Sequence, residues 1–184
     1  LMALVIKGSS SGQITLDVPA TAGTNTLTLP ASSGEITTGG NNTPAFAVRL
    51  SSNQTISDNT VTKVAFDTED VDTDSAFASN KFTVPSGKAG LYKIDAFVRA
   101  DSNANSNLFG SIMYLYKNGS GQQYVYNNYA SNYSRAISMN INTILNLVAD
   151  DYVEIYIAYN TVNNGDVHIN SNQYSVFSGH KLIT

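Results

Sequence analysis

Short segments in which apolar and polar residues alternate constrain the fold of this chain more than any other feature of its sequence. Alternation with a period of two places successive side chains on opposite faces of a strand. In the segment 135–147, the apolar positions are Ile137, Met139, Ile141, Leu145 and Leu147, and the polar positions are Ser138, Asn140, Asn142 and Asn146. No segment carries a convincing helical period. About eight to ten short segments of this kind, separated by turn residues, predict an all-β sandwich or jelly roll.

Other segments after residue 43 repeat this pattern. One face of the segment 91–100 carries Tyr92, Ile94, Ala96 and Val98. The segment 111–117 ends at Asn118-Gly119, a dipeptide typical of a two-residue hairpin turn. Further along, Val153, Ile155 and Ile157 are expected to face the core. We therefore expect residues 44–184 to form one jelly-roll knob.

Residues 1–43 differ from the rest and are expected to form an arm with little core of its own. Gly, Ser, Thr and Pro dominate it, and two short strands are expected, carrying Ile14, Leu16 and Val18, then Leu27 and Leu29. Two strands of this length are marginal alone. The apolar run 1–6 is too short for a signal peptide or a membrane span. It is interpreted as a strand that pairs with a neighbour or as a piece of a longer chain.

Charge and composition exclude several classes of partner. The chain has 10 Lys and Arg residues against 14 Asp and Glu residues, giving a net charge of −4, and the basic residues are scattered. Nucleic-acid binding would need a basic stripe. The absence of Cys excludes disulfides and thiolate metal sites. We expect no nucleic-acid partner, no membrane insertion, and stability that comes from packing and from association between subunits.

An acidic run is the best candidate metal site. It contains Asp67, Glu69, Asp70, Asp72 and Asp74. Carboxylate oxygens in a flexible loop suit calcium, so Asp70, Asp72 and Asp74 are the expected ligands, and calcium is the one candidate cofactor. The alternative is a solvated turn in which Asp72 or Asp74 accepts hydrogen bonds from backbone amides.

A stretch rich in Tyr and Asn is the best candidate ligand site. Its residues are Tyr124, Tyr126, Asn127, Asn128, Tyr129, Asn132, Tyr133 and Arg135. Tyr offers a large, stiff contact area with a polar tip, and Asn offers adaptable hydrogen bonds. We assign ligand binding to Tyr129, Asn132, Tyr133 and Arg135. For Tyr124 and Tyr126 we favour a strand whose tyrosines fill the core or a threefold interface.

The segment 151–160 is expected to carry the contact between subunits. Tyr152, Tyr156 and Ala158 alternate with its core residues and would face outward, although they are largely apolar. Exposed apolar residues that adjoin one another mark association surfaces. We predict that these three residues lie at a trimer interface, the alternative being a second core layer within one subunit.

Catalysis is not expected. His168 and His180 lie on different segments, neither has a carboxylate at a ligand-like spacing, and no nucleophile-elbow phrase is present. Asp150-Asp151 is typical of a turn, and no other feature of the sequence indicates the pair of spaced carboxylates that a glycosidase needs. A binding or structural role is therefore favoured over an enzyme.

In their order along the chain, the segments after residue 43 resemble the trimeric globular head of complement component one, subcomponent q. The matching phrases are PAFAVRL (44–50), TKVAFDTEDVDTDSAF (62–77), KFTVPSGKAGLYKIDAFV (81–98), IMYLYKNGS (112–120), ADDYVEIYIA (149–158) and FSGHKLI (177–183). The resemblance implies a jelly roll shared with tumour necrosis factor, a homotrimer, and a recognition role with an open choice of ligand. Some members of that family bind calcium.

The arm has a separate resemblance. GSSSGQITLDVPATAGTNTLTLPASSGEI (8–36) is similar to linker segments of bacteriophage virion and tail-fibre proteins. This implies a subunit of an extracellular virion, a fibre or decoration knob for host-surface attachment. Other virion proteins would bind residues 1–43, and a host-surface glycan or protein would bind the knob. The alternatives are a bacterial surface or exosporium-like trimeric adhesin or lectin and, less favoured, a carbohydrate-active enzyme.

Overall fold

The structure is a computed structural model that describes residues 4–7, 13–16 and 42–183. The chain divides into two compact units, residues 1–38 and residues 39–184. In the first unit, β1 (Leu4–Lys7) pairs antiparallel with β2 (Gln13–Leu16). Residues 4–6 of the apolar run therefore lie in a strand that pairs with the next one. The second expected strand, at Leu27 and Leu29, lies outside the described residues.

The described part of the second unit contains strands and one short 3-10 helix, and none of its helices is long and apolar enough to span a membrane. The strands are β3 (Ala45–Arg49), β4 (Gln54–Ile56), β5 (Thr62–Lys63), β6 (Thr68–Asp72), β7 (Phe77–Ala78), β8 (Lys81–Thr83), β9 (Gly90–Asp101), β10 (Leu108–Lys117), β11 (Ser120–Asn128), β12 (Ala136–Leu147), β13 (Tyr152–Thr161), β14 (Val167–Ile169) and β15 (Ser175–Lys181). The helix spans Asn172–Tyr174. The prediction of an all-β fold is confirmed.

The strands form two antiparallel sheets. Sheet I has the order β11-β10-β13-β8-β7, with β5 also paired to β13. Sheet II has the order β4-β14-β9-β15-β3-β6, with β12 paired along the whole of β9. Neighbours in each sheet are mostly distant in sequence, so the sheets are held together by long-range pairing.

The core lies between the two sheets and follows the alternation of the sequence. Val153, Ile155 and Ile157 are fully buried, as predicted for β13. The expected inward faces of β9 and β12 are also buried, except that Leu145 is half-buried. Aromatic rings connect the sheets: Phe46 of β3 stacks on Phe82 of β8 with centroids 4.5 Å apart.

A tight hairpin joins β10 and β11. Lys117 pairs with Ser120, and Asn118 and Gly119 between them have φ angles of 52° and 76°. Two consecutive positive φ angles match the twist of the flanking strands and favour Asn-Gly. The predicted turn is confirmed, and it fixes the register of the two strands that carry Tyr114, Tyr116, Tyr124 and Tyr126.

Candidate binding surface

The outer surface of sheet I carries five tyrosines on three adjacent strands. They are Tyr114 and Tyr116 of β10, Tyr124 and Tyr126 of β11, and Tyr156 of β13, and together they are called the tyrosine face here. Strand register places Tyr114 opposite Tyr124 on one side and opposite Tyr156 on the other. The pairing thus produces a row of three tyrosines across the sheet.

Four of the five rings of the tyrosine face form a chain of contacts, Tyr124–Tyr114–Tyr116–Tyr156. Tyr116 stacks on Tyr156 with centroids 4.7 Å apart, and Tyr114 lies 5.6 Å from Tyr116 and 6.3 Å from Tyr124. Tyr124 and Tyr126 are the most accessible members, with 66% and 56% of their surface exposed. An exposed aromatic cluster of this kind is the usual mark of a binding or association surface.

Two lysines beside the tyrosine face are paired with carboxylates. The Lys63 ammonium lies 2.6 Å from the buried Glu154 carboxylate. Lys117 lies 2.8 Å from Asp151. The Lys81 ammonium has no carboxylate partner among the described residues and lies 4.1 Å above the ring of Tyr152. The surface is therefore aromatic and hydroxyl-rich, with one unpaired ammonium at Tyr152.

Partial burial on the sheet affects the chemistry of Tyr156. Burial raises the pKa of its hydroxyl, with further contributions from the Glu154 carboxylate and from Tyr116 and Tyr152. The hydroxyl therefore stays protonated at neutral pH and can donate as well as accept a hydrogen bond.

The predicted ligand residues lie in and beside the loop between β11 and β12. The ring of Tyr129 packs partly against the core, and its amide donates to the Phe109 carbonyl at 2.8 Å. Tyr133 is 37% exposed and lies 5.9 Å from the Phe109 ring. Asn132 is exposed, and the Arg135 guanidinium pairs with Asp101 at 3.2 Å. Ligand binding at these four residues stays a prediction, with Tyr129 offering the least free surface.

The three candidate calcium ligands have separate partners. Asp70 pairs with Arg49 at 3.0 Å, and Asp74 lies 3.3 Å from Lys88. Asp72 accepts hydrogen bonds from the amides of Ala76 and Phe77, as the alternative of a solvated turn proposed. Across the residues that the structure describes, no three His, Cys, Asp or Glu side chains form a group that could hold a metal ion. Calcium here stays a prediction that the geometry does not support.

The predicted trimer-interface residues all lie on the outer surface of sheet I: Tyr156 belongs to the tyrosine face, and Tyr152 and Ala158 lie beside it on β13. Tyr152 and Tyr156 are half-buried within the single chain. Ala158 is only 6% exposed, because its short side chain lies on a central strand beside the larger Ile112. It therefore has little surface left to offer a neighbour, and the interface assignment rests on the two tyrosines as a prediction.

The outer surface of sheet II is more mixed. Phe97 and Ile144 are 38% and 55% exposed, while Lys93 pairs with Asp95 at 3.2 Å. A shallow depression of about 430 Å³ is lined by Arg49, Asp70, Asn172, Gln173 and Val176. The Arg49–Asp70 ion pair, in which Arg49 Nε donates to both carboxylate oxygens, occupies it, so a charged ligand would have to displace an existing ion pair.

The tyrosine face was not predicted from the sequence as a unit. Tyr124 and Tyr126 were expected in the core or at a threefold interface; both are exposed on the single chain, which excludes the core and leaves the threefold interface as a prediction. The sequence feature that could have indicated this surface is that tyrosines recur on one face of three strand segments, two or four positions apart: 114 and 116, 124 and 126, and 152 and 156. These tyrosines can be assigned to one surface only when β10 is known to pair with β13, and the sequence does not specify that pairing.

Comparisons with known proteins identify the fold and the family. Among curated proteins, no relative matches the chain. The globular domain of the zebrafish complement 1qA protein is similar over 76% of this chain and 98% of that chain, with 17% identity and a TM-score of 0.51. The tumour necrosis factor Eiger from S. frugiperda is similar over 76% of this chain and 92% of that chain, with 13% identity and a TM-score of 0.54.

These likenesses confirm the expected jelly roll shared by complement heads and tumour necrosis factors. At such low identity the two structures show the fold alone. The family model of the C1q domain matches residues 45–182, which is well over half of the sequence. The chain belongs to the C1q domain family.

Proposed function

We propose that this chain is a structural and recognition subunit of a phage virion, in which three knobs associate and residues 1–43 attach them to the particle. C1q and tumour-necrosis-factor-like domains are generally binding or structural domains that usually form homotrimers. One observation carries the proposal: a separate compact N-terminal unit, similar in sequence to phage linker segments, precedes the C1q domain.

Threefold assembly would suit a recognition role at a host surface. Three copies of one weak site on a single knob act together, because the first contact raises the effective concentration of the other two. The proposed location is the virion, and the proposed ligand is a glycan or protein of the host surface.

Deleting residues 1–43 should leave a folded trimer that no longer joins the particle. The C1q match begins at residue 45, so the deletion spares the knob. Light scattering measures the assembly state, and complementation of a virion lacking the native chain measures incorporation. A monomeric full-length chain, or normal incorporation of the truncated chain, would contradict the proposal.

A second experiment tests whether residues 1–43 are sufficient for attachment to the particle. Residues 1–43 fused to a fluorescent protein should be incorporated into particles, whereas the knob fused to the same protein should not. If the knob fusion alone is incorporated, attachment belongs to residues 44–184 and the assigned roles of the two parts are reversed.

A bacterial surface trimer of the same fold is the second candidate. The C1q match supports it equally, since that match does not depend on the N-terminal residues. Two observations discriminate the virion subunit from the bacterial surface trimer. Neighbouring capsid, portal and tail genes would support the virion, and a secretion signal upstream would support the cell surface.

A further inference from the structure

We propose that the tyrosine face binds an uncharged oligosaccharide chain lying across β11, β10 and β13. This site rests on the recognition role proposed above, and it specifies the class of ligand and the surface that binds it. It is distinct from the loop of Tyr129, Asn132, Tyr133 and Arg135.

The geometry of the rings suits stacking against sugars. Tyr124 and Tyr126 present more than half of their surface to solvent, and Tyr114 continues the row towards the sheet centre. The C–H face of a pyranose ring is apolar and flat, and an aromatic side chain offers a matching surface with little conformational entropy to lose. The row across three strands provides consecutive platforms, as a linear chain of sugars requires.

Hydrogen-bonding groups border these platforms. Asn128 donates to the Tyr126 hydroxyl at 3.1 Å, which is the one side-chain hydrogen bond made by a hydroxyl of the tyrosine face within the described residues. The other four hydroxyls are therefore open to a ligand, whereas the exposed Gln122 amide on β11 already donates to the Ser120 and Gly121 carbonyls at 3.4 Å. Sugar hydroxyls both donate and accept, as tyrosine hydroxyls and amides do.

The charge pattern favours a neutral ligand. Lys63 is paired with Glu154, and the Lys81 ammonium, which has no carboxylate partner among the described residues, lies singly over the Tyr152 ring, so this side of the sheet offers no cluster of cations to an acidic sugar or a phosphate. The chain as a whole carries a net charge of −4. Nucleic acids also stack on aromatic rings, but they need a basic groove that tracks their backbone.

A flat protein partner, including a second copy of this chain, is the competing occupant, because Tyr156 was also predicted to lie at a trimer interface. The most exposed rings, Tyr124 and Tyr126, both lie on β11 at the edge of sheet I, whereas Tyr114, Tyr116 and Tyr156 are half-buried. Such a narrow exposed strip suits a chain of sugars better than a broad protein interface, and in this proposal Tyr156 contacts the sugar rather than a second copy.

The test uses the full-length chain on an array of neutral and acidic oligosaccharides printed at equal density. We expect retention on neutral oligosaccharides, with a dissociation constant measured by tyrosine fluorescence, which is interpretable because the chain has no Trp. Tyr124→Ala and Tyr126→Ala should each weaken binding about tenfold, which corresponds to about 1.4 kcal/mol for one aromatic contact. Both residues are exposed, so both variants should fold.

Two further variants separate stacking from other effects. Tyr124→Phe keeps the ring and should weaken binding only about two- to fivefold, the cost of one hydrogen bond. Tyr174→Ala removes a tyrosine that is 48% exposed in the short helix before β15, away from sheet I, and should leave binding unchanged.

Several outcomes would overturn the proposal. These are no retention on any neutral oligosaccharide, equal binding by Tyr124→Ala and the full-length chain, preferential binding of acidic sugars or nucleic acid, and higher oligomers that Tyr124→Ala abolishes. A chain that forms trimers and joins particles but fails on the array refutes this site alone. A monomer that binds sugars refutes the proposed function and leaves the site standing.

Discussion

Replacing Phe177 with alanine is expected to lower the free energy of unfolding by about 3–5 kcal/mol, because the change opens a cavity in the centre of the core. The side chain of Phe177 is fully buried. Its ring lies 4.9 Å from Phe46, 5.6 Å from Phe66 and 6.2 Å from Phe77. Phe77 belongs to sheet I, whereas Phe46 and Phe177 belong to sheet II, so the contact with Phe77 joins the two sheets. Urea denaturation followed by circular dichroism measures the change.

Two variants control this experiment. Phe177→Leu keeps much of the buried volume and should cost about 1–2 kcal/mol. Tyr174→Ala lies nearby in sequence but is exposed, and should cost less than about 1 kcal/mol even though it removes a contact with Arg99. If Phe177→Ala cost no more than Tyr174→Ala, the ring would not lie between the sheets.

The faces of individual strands could be predicted from the sequence, because alternation is a local property. The inward assignment of Ile137, Met139 and Ile141 on β12 is confirmed by their burial. The Asn118-Gly119 turn was equally local, since its positive φ angles depend on two residues. Hairpin and face assignments therefore needed no knowledge of distant neighbours.

The identity of neighbouring strands could not be predicted in the same way. The row formed by Tyr124, Tyr114 and Tyr156 exists because β10 pairs with both β11 and β13. The second pairing joins strands separated by two others, and no local pattern encodes it. In addition, a register irregularity between Leu115 and Tyr116 displaces the residues of β11 by one position relative to their partners on β10. The outward exposure of the tyrosines is therefore a property of the sheet as a whole.

The acidic run illustrates a different limit. Five acidic residues within eight positions, 67–74, indicated a metal site on composition alone. In the structure, Asp70 and Asp72 belong to β6, and basic side chains or backbone amides satisfy their carboxylates. The contribution of Arg49 could not be foreseen, because β3 meets β6 only through a sheet pairing.

The second large effect is expected at Asp151, which joins the hairpin of β10 and β11 to β13. Its carboxylate lies 2.8 Å from the Lys117 ammonium and accepts hydrogen bonds from the Val148 amide at 2.9 Å and the Asn118 side chain at 2.6 Å. Asn118 in turn accepts from the Tyr152 amide at 2.9 Å. The side chain of Asp151 is buried, so these bonds are shielded from water.

Asp151→Asn should therefore lower the free energy of unfolding by about 2–4 kcal/mol at neutral pH, since it leaves Lys117 unpaired and places an amide donor among other donors. Asp150→Asn is the matched control. Asp150 is exposed with a φ of 68°, a conformation that Asn adopts readily, so its replacement should change stability by less than about 0.5 kcal/mol. Equal effects at the two positions would contradict the assigned contacts.

The pH dependence of this difference tests its electrostatic origin. The Lys117 ammonium and the Val148 amide, followed by the Asn118 side chain, lower the pKa of Asp151 from 3.8 to about 2. Because the folded pKa lies below the unfolded one, the contribution is fully present above about pH 4 and is lost as the pH falls towards 2. A shift of this size corresponds to about 2 kcal/mol. The stability gap between the unmodified chain and Asp151→Asn should therefore narrow by about that amount between pH 5 and pH 2, and a gap independent of pH would show that packing, rather than charge, holds the hairpin to β13.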